Sequence, residues 1–148
     1  MNDESLKLEN QLCFALYACS REITKLYKPF LNKLGITYTQ YISLLVLWEK
    51  DNITVKEMGI KLHLDSGTLT PLLKKLECIN LVKRIRDTVD ERNVYVKLTP
   101  QGFKLKNMAI EIPSKILCST GLSLQSAKIL KTSIDSLLLN ISPEYKLK

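Results

Sequence analysis

LDSGTLTPLLKKLE, residues 64–77, reads as one short helix with two unlike sides, and the fold of the whole chain follows from it. Asp65 and Ser66 suit an N-cap, Gly67 and Thr68 keep the first turn small, and Leu69, Leu72, Leu73 and Leu76 recur at helical spacing. Those leucines form a core-facing stripe. The opposite side carries Thr68, Thr70, Pro71, Lys74 and Lys75, with no acid before Glu77. Hydroxyl and ammonium donors without neighbouring acceptors suit phosphates and base edges, and Ser66 and the N-terminal amide groups add to them.

Upstream, Thr54-Val55-Lys56-Glu57 fits a capping box that opens a helix to about His63. Thr37-Tyr38-Thr39-Gln40 fits another, opening a helix from Tyr38 to about Lys50. Downstream the period changes to alternation. Residues 81–86 and 93–98 read as short strands, with the charged 87–92 as a hairpin tip. Two helices joined by a short turn and followed by a hairpin make a winged helix-turn-helix over residues 37–99, with 64–77 as the recognition helix. Lys83, Arg84 and Arg86 lie on the first strand and Arg92 at the tip, where a guanidinium can enter a narrow minor groove. Asp90 is expected to orient Arg92 by pairing with it.

Both ends of the chain read as further helices. Residues 6–34 carry an apolar stripe through Leu8, Leu12, Leu16, Cys19, Ile23, Leu26 and Phe30, with Pro29 expected to kink or loosen the last turns and Gly35 to stop them. Thr99-Pro100 opens a fifth helix, Pro113 marks a kink or restart in it and Gly121 its stop; Ser123 caps a sixth to about Asn140. The tail from Ser142 is expected to fray. The apolar faces of these helices exceed what a small wing domain can cover. Residues 1–36 and 100–148 are therefore read as dimerisation helices of a single, mainly α domain, and two-fold symmetry suits a pseudo-palindromic duplex.

With 45% hydrophobic residues and a formal charge of +7, the 148-residue chain is expected to bury a real core and to favour a polyanionic partner. Residues 1–10 lack the basic and apolar regions of a signal peptide, and the run Ile42 to Trp48 is far below the roughly 20 residues of a membrane span. A cytoplasmic protein with no membrane partner is expected. Cys13, Cys19, Cys78 and Cys118 form no C-x-x-C pair, and no metal set, cofactor motif, Gly-rich phosphate loop or Ser-His-Asp grouping is evident. The lone His63 reads as a packed or DNA-proximal residue at a helix end.

The four thiols differ in their neighbours. Cys19, on the apolar stripe, and Cys78, beside Ile79 and Leu81, read as small core residues. Around Cys13, by contrast, Tyr17, Ser20, Thr24 and Tyr27 fall within about 40° at 100° per residue, so one helix face carries a thiol and a column of hydroxyls. Phenol donors near sulfur favour the thiolate, as does a position near a helix start. Tyr38 can supply one more. The residues alone leave Cys13 open between a structural and a redox role, and Cys118 open between a buried residue and a resolving thiol.

The stretches Asn10 to Tyr17 (NQLCFALY), Leu34 to Gln40 (LGITYTQ), Asp65 to Glu77, and Asp90-Glu91-Arg92 followed by Leu98-Thr99 resemble the MarR family of winged-helix repressors. Within it they are similar to the organic-hydroperoxide-sensing OhrR branch. The resemblance runs from about residue 8 to 140 and implies a homodimeric DNA-binding repressor, not an enzyme, with organic hydroperoxide as its oxidant. It implies that Cys13 is the peroxidatic sensor, that Tyr17, Tyr27 and Tyr38 hydrogen-bond around it, and that Cys118 of the partner subunit resolves it as a disulfide. Other readings of the same residues are a MarR-type repressor gated by a small aromatic ligand, a broader oxidation-responsive regulator of virulence or metabolism, and a thiol peroxidase turning over through Cys13 and Cys118.

Overall fold

A computed structural model describes residues 3–142 of the protein. Two short 3-10 turns, Asp3–Leu6 and Leu8–Asn10, precede seven α-helices and three strands. Helix α1 is Leu12–Leu34, α2 Tyr38–Glu49, α3 Val55–Leu62 and α4 Ser66–Cys78; α5 is Pro100–Ala109, α6 Ile112–Ser119 and α7 Leu124–Ile141. Strands β1 (Ile53–Thr54), β2 (Val82–Arg86) and β3 (Val94–Leu98) form one antiparallel sheet in the order β1-β3-β2. The architecture is the expected winged helix-turn-helix, mainly helical with a small wing. The fraying expected from Ser142 falls mostly on residues 143–148, outside the described residues.

Local chemistry sets the boundaries. Thr37 and Gln40 form a reciprocal capping box, as do Thr54 and Glu57. Gly35 closes α1 at φ 69°, with its N–H donating to the Asn32 carbonyl at 3.2 Å and that of Ile36 to the Leu31 carbonyl at 3.1 Å. The first helix starts at Leu12 and not near residue 6, because the segment before it is spent on 3-10 turns; Gln11 ties these by donating to the Ser5 carbonyl at 2.6 Å. Through Pro29 the helix runs on without interruption to Leu34. Pro113 does mark a restart, since α5 ends at Ala109 and Pro113 occupies the first turn of α6.

The core lies where α1, α2, α4, α6 and the sheet meet. Leu31, Tyr41, Leu44, Leu47, Met58, Leu69, Leu73, Leu76, Val96, Ile112 and Ile116 are all buried. The register Val82↔Leu98, Arg84↔Val96 and Arg86↔Val94 turns even-numbered residues of both wing strands to the same face. Strand β1, which a two-residue alternation cannot reveal, pairs Ile53 with Val96 while Thr54 also caps α3. At the wing root the Thr99 hydroxyl donates to the Asn80 carbonyl at 2.6 Å and accepts the Gly102 N–H at 3.0 Å. A Cβ on Gly102 would lie 2.2 Å from the Leu81 carbonyl oxygen, so α5 docks there only because residue 102 has no side chain.

The two ends contrast with this centre. Leu12 is 63% exposed, and Phe14 and Tyr17 are exposed beside it. Helix α7 buries no residue at all, leaving Leu124, Ile129, Leu130 and Ile134 in solvent.

Candidate nucleic-acid interface and thiol site

A groove of about 640 Å³ runs between α3, α4 and the inner face of the wing. Leu64, Leu69 and Leu73 floor it, and Thr54, Ser66, Thr70 and Asn93 supply polar edges. Five basic residues line it, Lys56, Lys74, Arg84, Arg86 and Arg92, and no acidic one does. A concave strip of one sign focuses its field on a polyanion. Lys56 and Asn93 belong to this strip although the sequence alone had not singled them out. For Lys56 the signal was present, since the capping box at Thr54 fixes its place in the first turn of α3.

The recognition helix divides its polar residues between two flanks. Ser66, Thr70 and Lys74 face the groove, whereas Gly67, Thr68, Pro71 and Lys75 are exposed and do not line it. Asp65 is the N-cap, accepting the Thr68 N–H at 2.8 Å. That bond holds its carboxyl below the usual range, so a fixed negative charge sits on the helix start. The Thr68 amide is therefore already occupied and its hydroxyl also donates to Asp65, at 3.4 Å, so the expected donor set at this end reduces to the Ser66 and Thr70 hydroxyls and the amides before Thr68.

The wing tip is built by its own side chains. Asp87 accepts the Val89 N–H at 2.9 Å, and Asp90 accepts from Arg92 at three points: N–H at 3.2 Å, Nε at 2.9 Å and Nη2 at 3.1 Å. The Arg92 guanidinium keeps the Asp90 carboxyl low, and Asp90 raises Arg92 in turn. The pairing expected of Asp90 is present, and it fixes a side chain that remains 90% exposed. Arg84 departs from expectation. Its Nε and Nη2 donate to Glu77 at 2.9 and 2.7 Å, so its guanidinium is committed within the protein, whereas the Arg86 guanidinium and the Lys74 ammonium make no ion pair among the described residues.

Cys13 is the second residue of α1, exposed, and no side chain caps that helix start. Tyr17, one turn on, accepts from Arg21 Nη1 at 3.1 Å, and the Arg21 guanidinium lies over its ring. Tyr27 and Tyr38 are elsewhere. Fourteen residues at the helical rise put Tyr27 about 21 Å along α1 from Cys13. There Tyr27 stacks edge-on against Tyr38 at 4.9 Å and tilts against Tyr41 at 5.7 Å. Burial raises all three phenols, Tyr41 to about 12, so they remain proton donors at neutral pH. One chain thus does not bring the phenol column to the thiol; shared angle on a helix is not shared depth.

Cys118 lies near the end of α6 and is exposed. Cys19 and Cys78 are exposed too, which corrects their reading as core residues. For Cys19 the reason is that the apolar stripe of α1 becomes core only from about Leu26 onward, where α2 covers it. Cys78 ends α4 one step past the buried row of Leu69, Leu73 and Leu76.

Comparison with known proteins agrees with this geometry. Residues 25–109 match the family described as transcriptional regulator SarA/Rot. The organic hydroperoxide resistance transcriptional regulator of Bacillus subtilis is 57% identical, over 86% of this chain and 85% of its own. Reduced AbfR bound to DNA superposes with a TM-score of 0.78 at 37% identity, covering 95% of this chain and 99% of that one; AbfR is a Staphylococcus epidermidis protein. Disulfide-formed AbfR superposes with a TM-score of 0.60 at 35% identity, over 99% and 97% of the two chains. Among the described residues no helix is long and apolar enough to cross a membrane. In sequence and in fold alike, the chain belongs to the MarR and SarA/Rot kind of winged-helix transcriptional regulator, a DNA-binding class and not an enzymatic one.

Proposed function

We propose that the protein is a homodimeric cytoplasmic repressor that releases a pseudo-palindromic operator when an organic hydroperoxide oxidises Cys13. The observation that carries this reading is an exposed thiol at an uncapped helix start, beside Leu12, Phe14 and Tyr17, which are exposed in their own chain. A second copy packed on α1, α6 and α7 covers those faces and brings protonated phenols, Tyr27 and Tyr38, to a thiol that its own chain keeps about 21 Å away. The Bacillus subtilis relative, a regulator of organic hydroperoxide resistance, and the existence of AbfR in reduced and disulfide forms support the same chemistry.

In the chemical step the Cys13 thiolate attacks the hydroxyl oxygen of ROOH. An S–O bond forms, the O–O bond breaks, and the departing alkoxide takes a proton, nearby tyrosines being suitable donors. The sulfenic acid then condenses with the thiol of Cys118 of the partner subunit, forming the disulfide and releasing water. Tethering the subunits changes the separation of two recognition helices that must match half-sites about 34 to 36 Å apart. Ser66, Gly67, Thr68, Thr70, Pro71, Lys74 and Lys75 face the major groove. Arg86 and Lys56 hold the phosphate strand lying in the groove, and Arg92, aimed by Asp90, enters the minor groove.

The test uses a duplex selected by the wild-type protein from a random-sequence pool. Cys13→Ser keeps wild-type affinity and does not release on cumene hydroperoxide; normal release by this variant removes Cys13 as sensor. Wild type gives a peroxide-dependent, dithiothreitol-reversible dimer band that Cys118→Ser abolishes. A band that persists assigns the second thiol to Cys19 or Cys78, both exposed.

A further inference from the structure

Among the described residues, Arg84 is the one basic residue of the groove with an ion pair to another element. Strand β2 is an edge strand, and the Arg84 amide that points away from β3 donates to Glu77 Oε1 at 3.0 Å. The same carboxylate takes the Arg84 side chain through Oε2 at 2.9 and 2.7 Å. Glu77 thus grips both the backbone and the guanidinium of one residue, in a site where the two side chains are 36% and 26% exposed. It stands on the last turn of the recognition helix, one residue after the fully buried Leu76. Lys56, Lys74 and Arg86, which share the groove, make no ion pair among the described residues.

We propose that Glu77 and Arg84 form a strut that sets the distance between the recognition helix and the wing, and that Glu77 is a positioning residue for DNA binding despite its negative charge. The inference rests on the reading that helix and wing engage one duplex together. A duplex strand lying in the groove needs the two walls at a fixed separation, and β2 has no further strand to hold its outer edge. The strut replaces that strand. Arg84 then contributes geometry and no phosphate contact, so its charge is absent from the counterions released on binding.

Electrostatics and positioning predict opposite signs. Removing a carboxylate beside a polyanion strengthens binding if only charge matters; removing a strut weakens it. We expect Glu77→Gln, Arg84→Met and the double variant each to lose about tenfold in affinity for the selected duplex, with the double no worse than either single. The slope of log K against log salt stays at the wild-type value and hydroxyl-radical footprints at saturating protein keep the contacts of both the recognition helix and the wing, because the same contacts form but the wing must be ordered on binding. Circular dichroism confirms that each variant is folded at the assay temperature, and Glu77→Asp, which retains the charge on a shorter arm, recovers part of the affinity. Wild-type or tighter binding by Glu77→Gln overturns the proposal, as does a slope reduced by about 0.9 in Arg84→Met, the mark of one lost phosphate contact. Arg92→Ala separates the two levels: if it binds like wild type, the wing reading itself fails, whereas a weakened Arg92→Ala beside an unaffected Glu77→Gln refutes the strut alone.

Discussion

Residues 37–109 and the helices at either end draw on the same apolar alphabet, yet most of the core lies in the first region, to which the end helices add only Leu31, Ile112 and Ile116 among the described residues. In the winged-helix centre every leucine of the α4 stripe is buried, and each helix start is capped by a threonine or aspartate hydrogen bond. At the ends, Ser123 caps α7 just as well, but the helix it starts buries nothing. Capping and periodicity therefore report that a helix forms, not that its own chain supplies what covers it. Large unpartnered apolar faces on a folded chain belong to an interface.

The contrast can be broken most sharply at two leucine-like positions. Leu73→Ala, at a site with 0% exposure, is expected to cost about 2–5 kcal/mol of folding stability, as a lower urea midpoint at every protein concentration. Ile134→Ala, on the exposed face of α7, changes the midpoint by no more than about 0.5 kcal/mol in dilute protein. Its effect appears instead in sedimentation equilibrium, as weaker self-association and a stability less dependent on concentration. A midpoint drop for Ile134→Ala equal to that of Leu73→Ala, in dilute monomer, removes the distinction between the two regions.

A smaller effect probes their junction. Tyr27, Tyr38 and Tyr41 keep their protons in the folded chain above the value near 10 at which an unfolded phenol ionises. The folded state then binds more protons than the unfolded one, so the stability this cluster contributes is complete below about pH 10. It is lost as pH rises through about 12, the value reached by Tyr41. Phenolate absorbance in an alkaline titration should show a late phase that coincides with unfolding and shrinks in Tyr41→Phe; a titration unchanged by that substitution places the late protons elsewhere.

Much of this was legible from residue patterns, because the patterns are local. The two capping boxes, the Gly35 stop, the Thr99-Pro100 start and the switch from helical to alternating period each depend on fewer than ten neighbouring residues, and each lies where the spacing puts it. The pairing of Asp90 with Arg92 was legible for the same reason. What escaped was set by distance in space. Strand β1 exists only through its pairing with Tyr95 and Val96 of β3, and Arg84 meets Glu77 across an edge that no spacing rule describes. The exposure of Cys19 depends on where α2 stops covering α1. The start of α1 is hidden in the pattern because the 3-10 turns before it share apolar residues with the helix that follows them.

The first helix also has a mechanical consequence. Its core anchor, Leu31, and its thiol, Cys13, sit on one uninterrupted rod, eighteen residues or about 27 Å apart. The rod is a lever with its fulcrum in the winged-helix centre and its handle in solvent. A pull of about 2 Å at the handle, the scale of a single covalent bond being made, turns the rod by about 4°. Under the proposed function, oxidation of Cys13 would be delivered to the opposite end as torque, with no need for the intervening turns to unfold.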